Sequence, residues 1–159
     1  MTPAESEFVE EMGQILASYG MTPMAGRMWG WLLICEPPEQ TAADIAEALG
    51  ASRGAISGTA RILAGAGFIR RTMRRGDRRE WFNAKPDALE SFLLNAGRIY
   101  AQLRGVAERG LIATSDRSPE SRERLEEMRD LLAFVEREVP AIIERFLADR
   151  AAERAPLGS

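Results

Sequence analysis

The stretch from Gly50 to Gly67, GASRGAISGTARILAGAG, constrains the fold of this chain more than any other segment. Ile56, Ala60 and Leu63 follow one another at helical spacing, so one face of the stretch is apolar. Five glycines interrupt the stretch, although a glycine inside a helix costs roughly 1 kcal/mol relative to alanine. The stretch is therefore either a poor helix or a helix whose backbone another molecule approaches closely.

A helical wheel centred on Ile56 separates the small residues from the apolar face. Gly54 and Gly58 lie on the solvent side together with Ser57 and Arg61, which could read a base or hold a phosphate. A DNA major groove is about 12 Å wide and a helix nearly fills it, so small residues would let the backbone come close. The alternative is a membrane-style Gly-xxx-Gly packing helix, which the short length and the flanking arginines disfavour.

A short helix precedes this stretch and carries its own start and stop residues. Thr41 and Asp44 have the spacing of a capping box, and Gly50 ends the helix. Ser52 is a good N-cap for a second helix over residues 52–64, and with the adjacent free N–H groups it suits a phosphate. Two helices joined by such a glycine-containing turn are typical of a helix-turn-helix. The inward-facing positions of the first helix are predicted to be Ile45, Ala48 and Leu49.

A basic β-hairpin is predicted next, because the apolar residues change from helical spacing to the alternating spacing typical of strands. Residues 68–74 and 78–83 are predicted to be strands, joined by a turn at Arg75-Gly76-Asp77. The segment from Arg53 to Glu80 holds eight arginines against two carboxylates, a net charge of +6, whereas the remainder carries −9. A local cluster of positive charge on an acidic chain indicates a polyanion site.

The predicted DNA-contacting residues lie on the second helix and on the hairpin. Arg53 and Ser57 are expected to read bases. Arg75, at the hairpin tip, is the leading phosphate or minor-groove contact, and some of its neighbours could instead pair with Asp77 or Glu80. A solvated charged hairpin is the simpler alternative. The whole set is Ser52, Arg53, Gly54, Ser57, Gly58, Arg61, Arg74, Arg75, Arg78 and Arg79.

Helices are predicted on both sides of this unit, from apolar residues at steps of three and four. Thr2-Pro3 and Thr22-Pro23 open two helices at the amino-terminal end. The last helix begins at Ser118-Pro119, and its wide apolar strip needs covering by the rest of the chain or by a partner subunit. Pro140 is expected to kink that helix or distort one turn. The predicted apolar faces are Phe8, Met12, Ile15, Leu16 and Tyr19 in the first helix, Ala25, Met28, Trp29, Leu32 and Leu33 in the second, and Leu125, Met128, Leu132, Val135, Val139, Ile142 and Phe146 in the last.

The composition lacks the residues on which many enzymes depend. The chain has no histidine and one cysteine, Cys35, so an intrachain disulfide is impossible and the commonest general base is absent. Neither a phosphate-binding loop nor a nucleophile elbow is present. No enzyme activity, cofactor or metal site is expected, and Cys35 is expected to fill a core rather than to sense oxidants. Without a leader or a membrane span, a cytoplasmic protein is expected.

Two stretches, MAGRMWGWLLICEPPEQTAADIAEALGASRGAISGTARILAGAGFIRR and RGDRREWFNA, resemble the MarR-type winged helix-turn-helix regulators. The local sequence is most similar to the GbsR-like branch. The resemblance implies a mainly α fold with a small β-hairpin and a homodimer held by long terminal helices, with Phe8, Met12 and the apolar face of the last helix in the dimer interface. It also implies a pseudo-palindromic operator in double-stranded DNA and a small-molecule effector that relieves repression.

These observations predict a dimeric, sequence-specific transcriptional regulator that represses until a ligand binds. The alternative is a winged-helix interaction module that binds an acidic protein, because an acidic partner would also require the arginines. The expected parts are an amino-terminal dimerisation helix (1–20), a winged helix-turn-helix domain (21–85) with recognition helix 52–64 and wing 68–83, carboxy-terminal dimerisation helices (86–150) and a frayed tail (151–159).

Overall fold

The computed structural model describes residues 1–154, which form six helices and a three-stranded antiparallel sheet. The predicted fold, mainly α with a small hairpin, is confirmed. The chain divides into two compact units, Met1–Leu89 and a second that starts at Glu90. The helices are α1 (Pro3–Ser18), α2 (Pro23–Ile34), α3 (Ala42–Leu49), α4 (Arg53–Gly65), α5 (Ala88–Ala113) and α6 (Pro119–Arg154), and the strands are β1 (Gln40–Thr41), β2 (Ile69–Met73) and β3 (Glu80–Ala84).

The helix starts in the first unit are fixed by local side-chain caps, as predicted. Thr2 with Glu5, and Thr41 with Asp44, form reciprocal capping boxes at the starts of α1 and α3. The hydroxyl of Ser52 accepts a hydrogen bond from a backbone N–H in the first turn of α4. Each cap satisfies N–H groups that have no partner within the helix, and each contributes about 1 kcal/mol.

Helices α1 and α2 touch backbone to backbone. A Cβ atom placed on Gly26 would lie 2.4 Å from the carbonyl oxygen of Met12 and 2.7 Å from the Cα atom of Gly13. At Gly30, one turn further along α2, the same atom would lie 3.0 Å from the Met12 side chain. At residue 26 only glycine permits this approach, because the atoms that a Cβ would meet belong to the backbone of α1. The contact places α1 firmly against the helix-turn-helix core.

This approach decides which residues of α1 face the core of the first unit, and they differ in part from those of the predicted apolar stripe. The structure buries Val9 and Gly13, while Ile15 and Tyr19 are 55% and 83% exposed. A prediction from side-chain size selects the largest apolar residues, whereas the contact at Gly26 requires a small residue on α1. Two positions in other helices also differ from the prediction. Leu33 of α2 is exposed, and the inner face of α3 uses Ala46 where Ala48 was predicted.

The sheet contains one strand more than the predicted hairpin. Strands β2 and β3 form the expected hairpin, with Gly76 at a φ of +83° in its turn. The short strand β1 pairs with the other edge of β3, so that the order is β1-β3-β2. Two residues are too few to show a period, so β1 could not be recognised from the sequence. Its pairing joins the start of α3 to the wing, residues 68–83.

The apolar face of α4 anchors this helix in the core of the first unit, as predicted. Ile56, Ala60 and Leu63 are at most 2% exposed. The core also contains Trp29 and Phe68, whose rings meet edge to face with centroids 4.7 Å apart. Burial of this face compensates for the low helix propensity of the glycines, so the opposite face of α4 is free to carry small residues.

In the second unit, α5 and α6 lie side by side and antiparallel. Arg104 Nε donates to the Glu136 carboxylate at 2.9 Å, and the Leu125 side chain lies against Gly110. Helix α6 continues through Pro140 and includes residues 151–154, which were predicted to belong to the tail. The rest of the predicted tail, 155–159, lies outside the described residues. No helix within residues 1–154 has the length and apolar character needed to cross a membrane.

Candidate nucleic-acid interface

The outer face of α4 is not covered by other described residues at its two glycines, Gly54 and Gly58. A Cβ atom on Gly58 would meet no heavy atom within 4 Å, and one on Gly54 would meet only the Ser52 hydroxyl, at 4.0 Å. Ser57 and Arg61 are exposed on the same helix. The structure therefore places the two glycines where the helical wheel put them, and neither is needed for packing within the described chain. Contact of this face with DNA stays a prediction.

The beginning of α4 adjoins the base of the wing. Arg53 and Arg79 line one crevice together with Thr41 and Ala42 at the start of α3. Ser52 is exposed, and its hydroxyl is engaged in the cap of α4. One guanidinium group from α4 and one from the wing therefore lie next to two helix N-termini, which carry partial positive charge themselves. The Glu80 carboxylate lines the same crevice, and Arg79 is paired with Asp77, so Arg53 is the arginine of this crevice that is left for a phosphate.

The arginines of the wing fall into two groups. Arg79 pairs with Asp77 at 2.9 Å and Arg71 pairs with Glu80 at 2.8 Å, while Arg74 pairs with Glu39 in the loop before β1. Pairing by Asp77 and Glu80 was anticipated from the sequence, whereas the role of Glu39 was missed. Arg70, Arg75 and Arg78 are exposed and make no ion pair with any residue in the described part of the chain.

Trp81 in β3 contacts two of the paired arginines and the carboxylate of Asp77. The guanidinium carbon of Arg74 lies 3.7 Å from the centroid of the Trp81 ring, and that of Arg79 lies 5.1 Å from it. The indole N–H donates to the Asp77 carboxylate at 3.2 Å. Cations near an indole ring are attracted by its quadrupole. Arginines beside a tryptophan indicate such contacts in general, but no local pattern indicates Glu39, because it is 35 residues from Arg74.

Hydrogen bonds from the Arg79 side chain and backbone hold the pKa of Asp77 well below its usual range. Because the folded pKa is lowered, the resulting stability is present above the unfolded pKa of about 4 and is lost as the pH falls below it. We expect the free energy of unfolding to decrease as the pH is lowered from about 5 to 3, with a smaller decrease in Asp77→Asn. Denaturant titrations at each pH measure this difference, and the exposed Asp116→Asn serves as the control. An equal decrease in Asp77→Asn and the unchanged protein would contradict the assignment.

Cys35 closes α2 and is buried. Burial raises the pKa of its thiol, which disfavours the reactive thiolate. This environment favours the core-filling role over the sensing role. Within residues 1–154, no three histidine, cysteine, aspartate or glutamate side chains come together as metal ligands.

The residues predicted for dimerisation lie in both units. Met12 packs at the edge of the first core, and Phe8 is 36% exposed. On α6, Ile142 and Phe146 are half exposed, although the adjacent Ile143 is buried. The half-buried or exposed remainder of the predicted stripe is Leu125, Met128, Leu132, Val135 and Val139.

Comparisons with known proteins agree with this architecture. A model described as MmpR5-like MarR family transcriptional regulator matches residues 87–150, and a MarR family model matches residues 32–81. The chain is 43% identical over 144 residues to the HTH-type transcriptional regulator MmpR5 of Mycobacterium tuberculosis, covering 91% of this chain and 87% of that protein. The crystal structure of a transcriptional regulator superposes with a TM-score of 0.80 at 42% identity, covering 92% of this chain and 99% of that one. The chain belongs to the MarR family of winged-helix, DNA-binding transcriptional regulators and is MmpR5-like.

Proposed function

We propose that the chain acts as a homodimer that binds a pseudo-palindromic operator and represses transcription until a small-molecule effector binds. The observation that carries the DNA-contact assignment is the open face of α4 with Gly54 and Gly58, next to a wing whose Arg75 and Arg78 are unpaired within the described residues. A small helix face allows close approach to base edges, and free guanidinium groups supply the phosphate contacts.

Exposed apolar side chains support the homodimer. Ile99 in α5 and Leu131 and Phe134 in α6 are each more than half exposed. Soluble monomers rarely expose extensive apolar patches, because burying them in an interface is favourable. We propose a second copy of this chain as the partner. Sedimentation of the purified protein distinguishes this from the acidic-partner alternative, which predicts a stable monomer that associates only with another protein.

The finer features of the proposal rest on family likeness alone. The GbsR-like branch stays a prediction, since the model that matches residues 87–150 is MmpR5-like. We propose repression and a small-molecule effector because regulators of this type act in that way. We propose a cytoplasmic location because a regulator has to reach the chromosome that it binds. We propose no catalytic activity and no cofactor.

Arg75→Ala is expected to weaken binding to DNA of any sequence by a similar factor. Because Arg75 makes no ion pair within residues 1–154, its loss should remove about one phosphate contact and lower the slope of log affinity against log salt by about one unit. Fluorescence anisotropy with a random-sequence DNA duplex at several salt concentrations measures both quantities. The control is Arg117→Ala, which removes the same charge from the exposed turn after α5. Equal affinity and equal slope in Arg75→Ala and the unchanged protein would refute DNA binding by the wing.

A further inference from the structure

The side chain of Arg74 connects the two edges of the three-stranded sheet. Arg74 follows β2 directly and extends across β3 to Glu39, the residue that precedes β1. In the order β1-β3-β2, these two residues belong to opposite edges, and Trp81 of β3 lies between them. The guanidinium group therefore connects the turn of the wing to the loop that precedes β1 and α3.

The ring beneath Arg74 is itself fixed in place. Trp81 pairs with Thr41 of β1 on one side and with Thr72 of β2 on the other. Its indole N–H is held by Asp77, which also binds Arg79. The guanidinium carbon of Arg74 lies 3.7 Å from the centroid of this ring, and Arg74 Nη2 donates to the Glu39 carboxylate. Its neighbour Arg75 has no ion pair within the described chain.

We propose that Arg74 is a positioning residue that braces the wing through Trp81 and Glu39, and that it is not a DNA contact. This inference revises the sequence-based assignment of Arg74, and it rests on the proposed function, in which the wing binds DNA. An exposed ion pair and an exposed cation–π contact are each weak. Together they order the wing before DNA arrives, which lowers the entropy that binding has to remove. Arg75 is then presented in a fixed position.

The test compares Arg74→Ala, Glu39→Gln and the double variant in the same random-sequence duplex assay. If the two residues act as one brace, each single change should weaken binding by about fivefold, and the double variant should bind no more weakly than either single variant. The salt slope should stay unchanged in all three variants, because no phosphate contact is lost, whereas Arg75→Ala lowers it by about one unit. Trp81→Phe, which retains a ring under Arg74, should bind better than Trp81→Leu.

Three outcomes would overturn the brace. A slope lowered by about one unit in Arg74→Ala, with tighter binding in Glu39→Gln, would show that Arg74 holds a phosphate and that Glu39 competes for it. Unchanged affinity in Arg74→Ala would show that the brace has no effect on binding. Additive losses in the double variant would show that the two residues act separately. Failure of the proposed function would look different from failure of the brace. If the wing does not bind DNA, Arg75→Ala leaves both the affinity and the salt slope unchanged. Thermal unfolding of each variant confirms that it is folded.

Discussion

Gly58→Leu should abolish DNA binding while the protein remains folded. The side chain would project from the open face of α4, where a Cβ atom meets nothing within 4 Å, so the core loses no contact. Leucine also forms helix better than glycine, by up to about 1 kcal/mol. In a major groove that the helix nearly fills, however, the added isobutyl group would hold the backbone away from the base edges. Anisotropy measures the loss of binding, and thermal unfolding measures the stability.

Gly58→Ala separates the effect of size from that of glycine itself. A methyl group should raise the free energy of unfolding through helix propensity and should weaken DNA binding much less than leucine does. A graded loss from glycine to alanine to leucine would match a steric limit at the groove. Full binding by Gly58→Leu would show that the backbone of α4 does not approach DNA closely at this residue, whatever the family of the chain.

Gly26→Ala should destabilise the fold strongly, whereas the same change at Gly58 should not. Its Cβ atom would lie 2.4 Å from the Met12 carbonyl oxygen and 2.7 Å from the Gly13 Cα atom. Both are backbone atoms, so no flexible side chain can move aside, and α1 has to separate from α2. We expect a loss of about 3 kcal/mol, at the upper end for overpacking. Denaturant unfolding monitored by circular dichroism measures this loss.

The same substitution at Gly58 is the matched control for Gly26→Ala. One added methyl group should stabilise the protein where space is open and destabilise it where two helix backbones meet. Similar stabilities for Gly26→Ala and the unchanged protein would contradict the close packing of α1 on α2. In that case the placement of α1 against the helix-turn-helix core would also need revision.

The parts of the fold that were predicted correctly depend on residues close together in the chain. The cap at Thr41, the turn at Gly50 and the buried face of α4 each involve residues within a few helical turns. The helical wheel also predicted that Gly54 and Gly58 face outward, because a helix with one buried face has only one opposite face. Local spacing was sufficient for each of these features.

The parts that were missed depend on contacts between distant segments. The face of α1 is decided by Gly26 in the next helix, and β1 is recognisable only when β3 is beside it. The ion pair of Arg74 with Glu39 joins residues 35 positions apart. Charge counting placed eight arginines in one segment, but it could not show which of them are paired within the protein and which are left for a ligand.

In the proposed function, the open face of α4 enters the major groove of a two-fold operator. Footprinting would examine this contact on genomic fragments selected by binding to the purified protein, with the unchanged protein and Gly58→Leu compared side by side. If α4 binds in this way, the unchanged protein protects a pseudo-palindrome with half-sites about one helical turn apart, or a multiple of it, and Gly58→Leu protects nothing. Failure to select any sequence, or an identical footprint from Gly58→Leu, would contradict it.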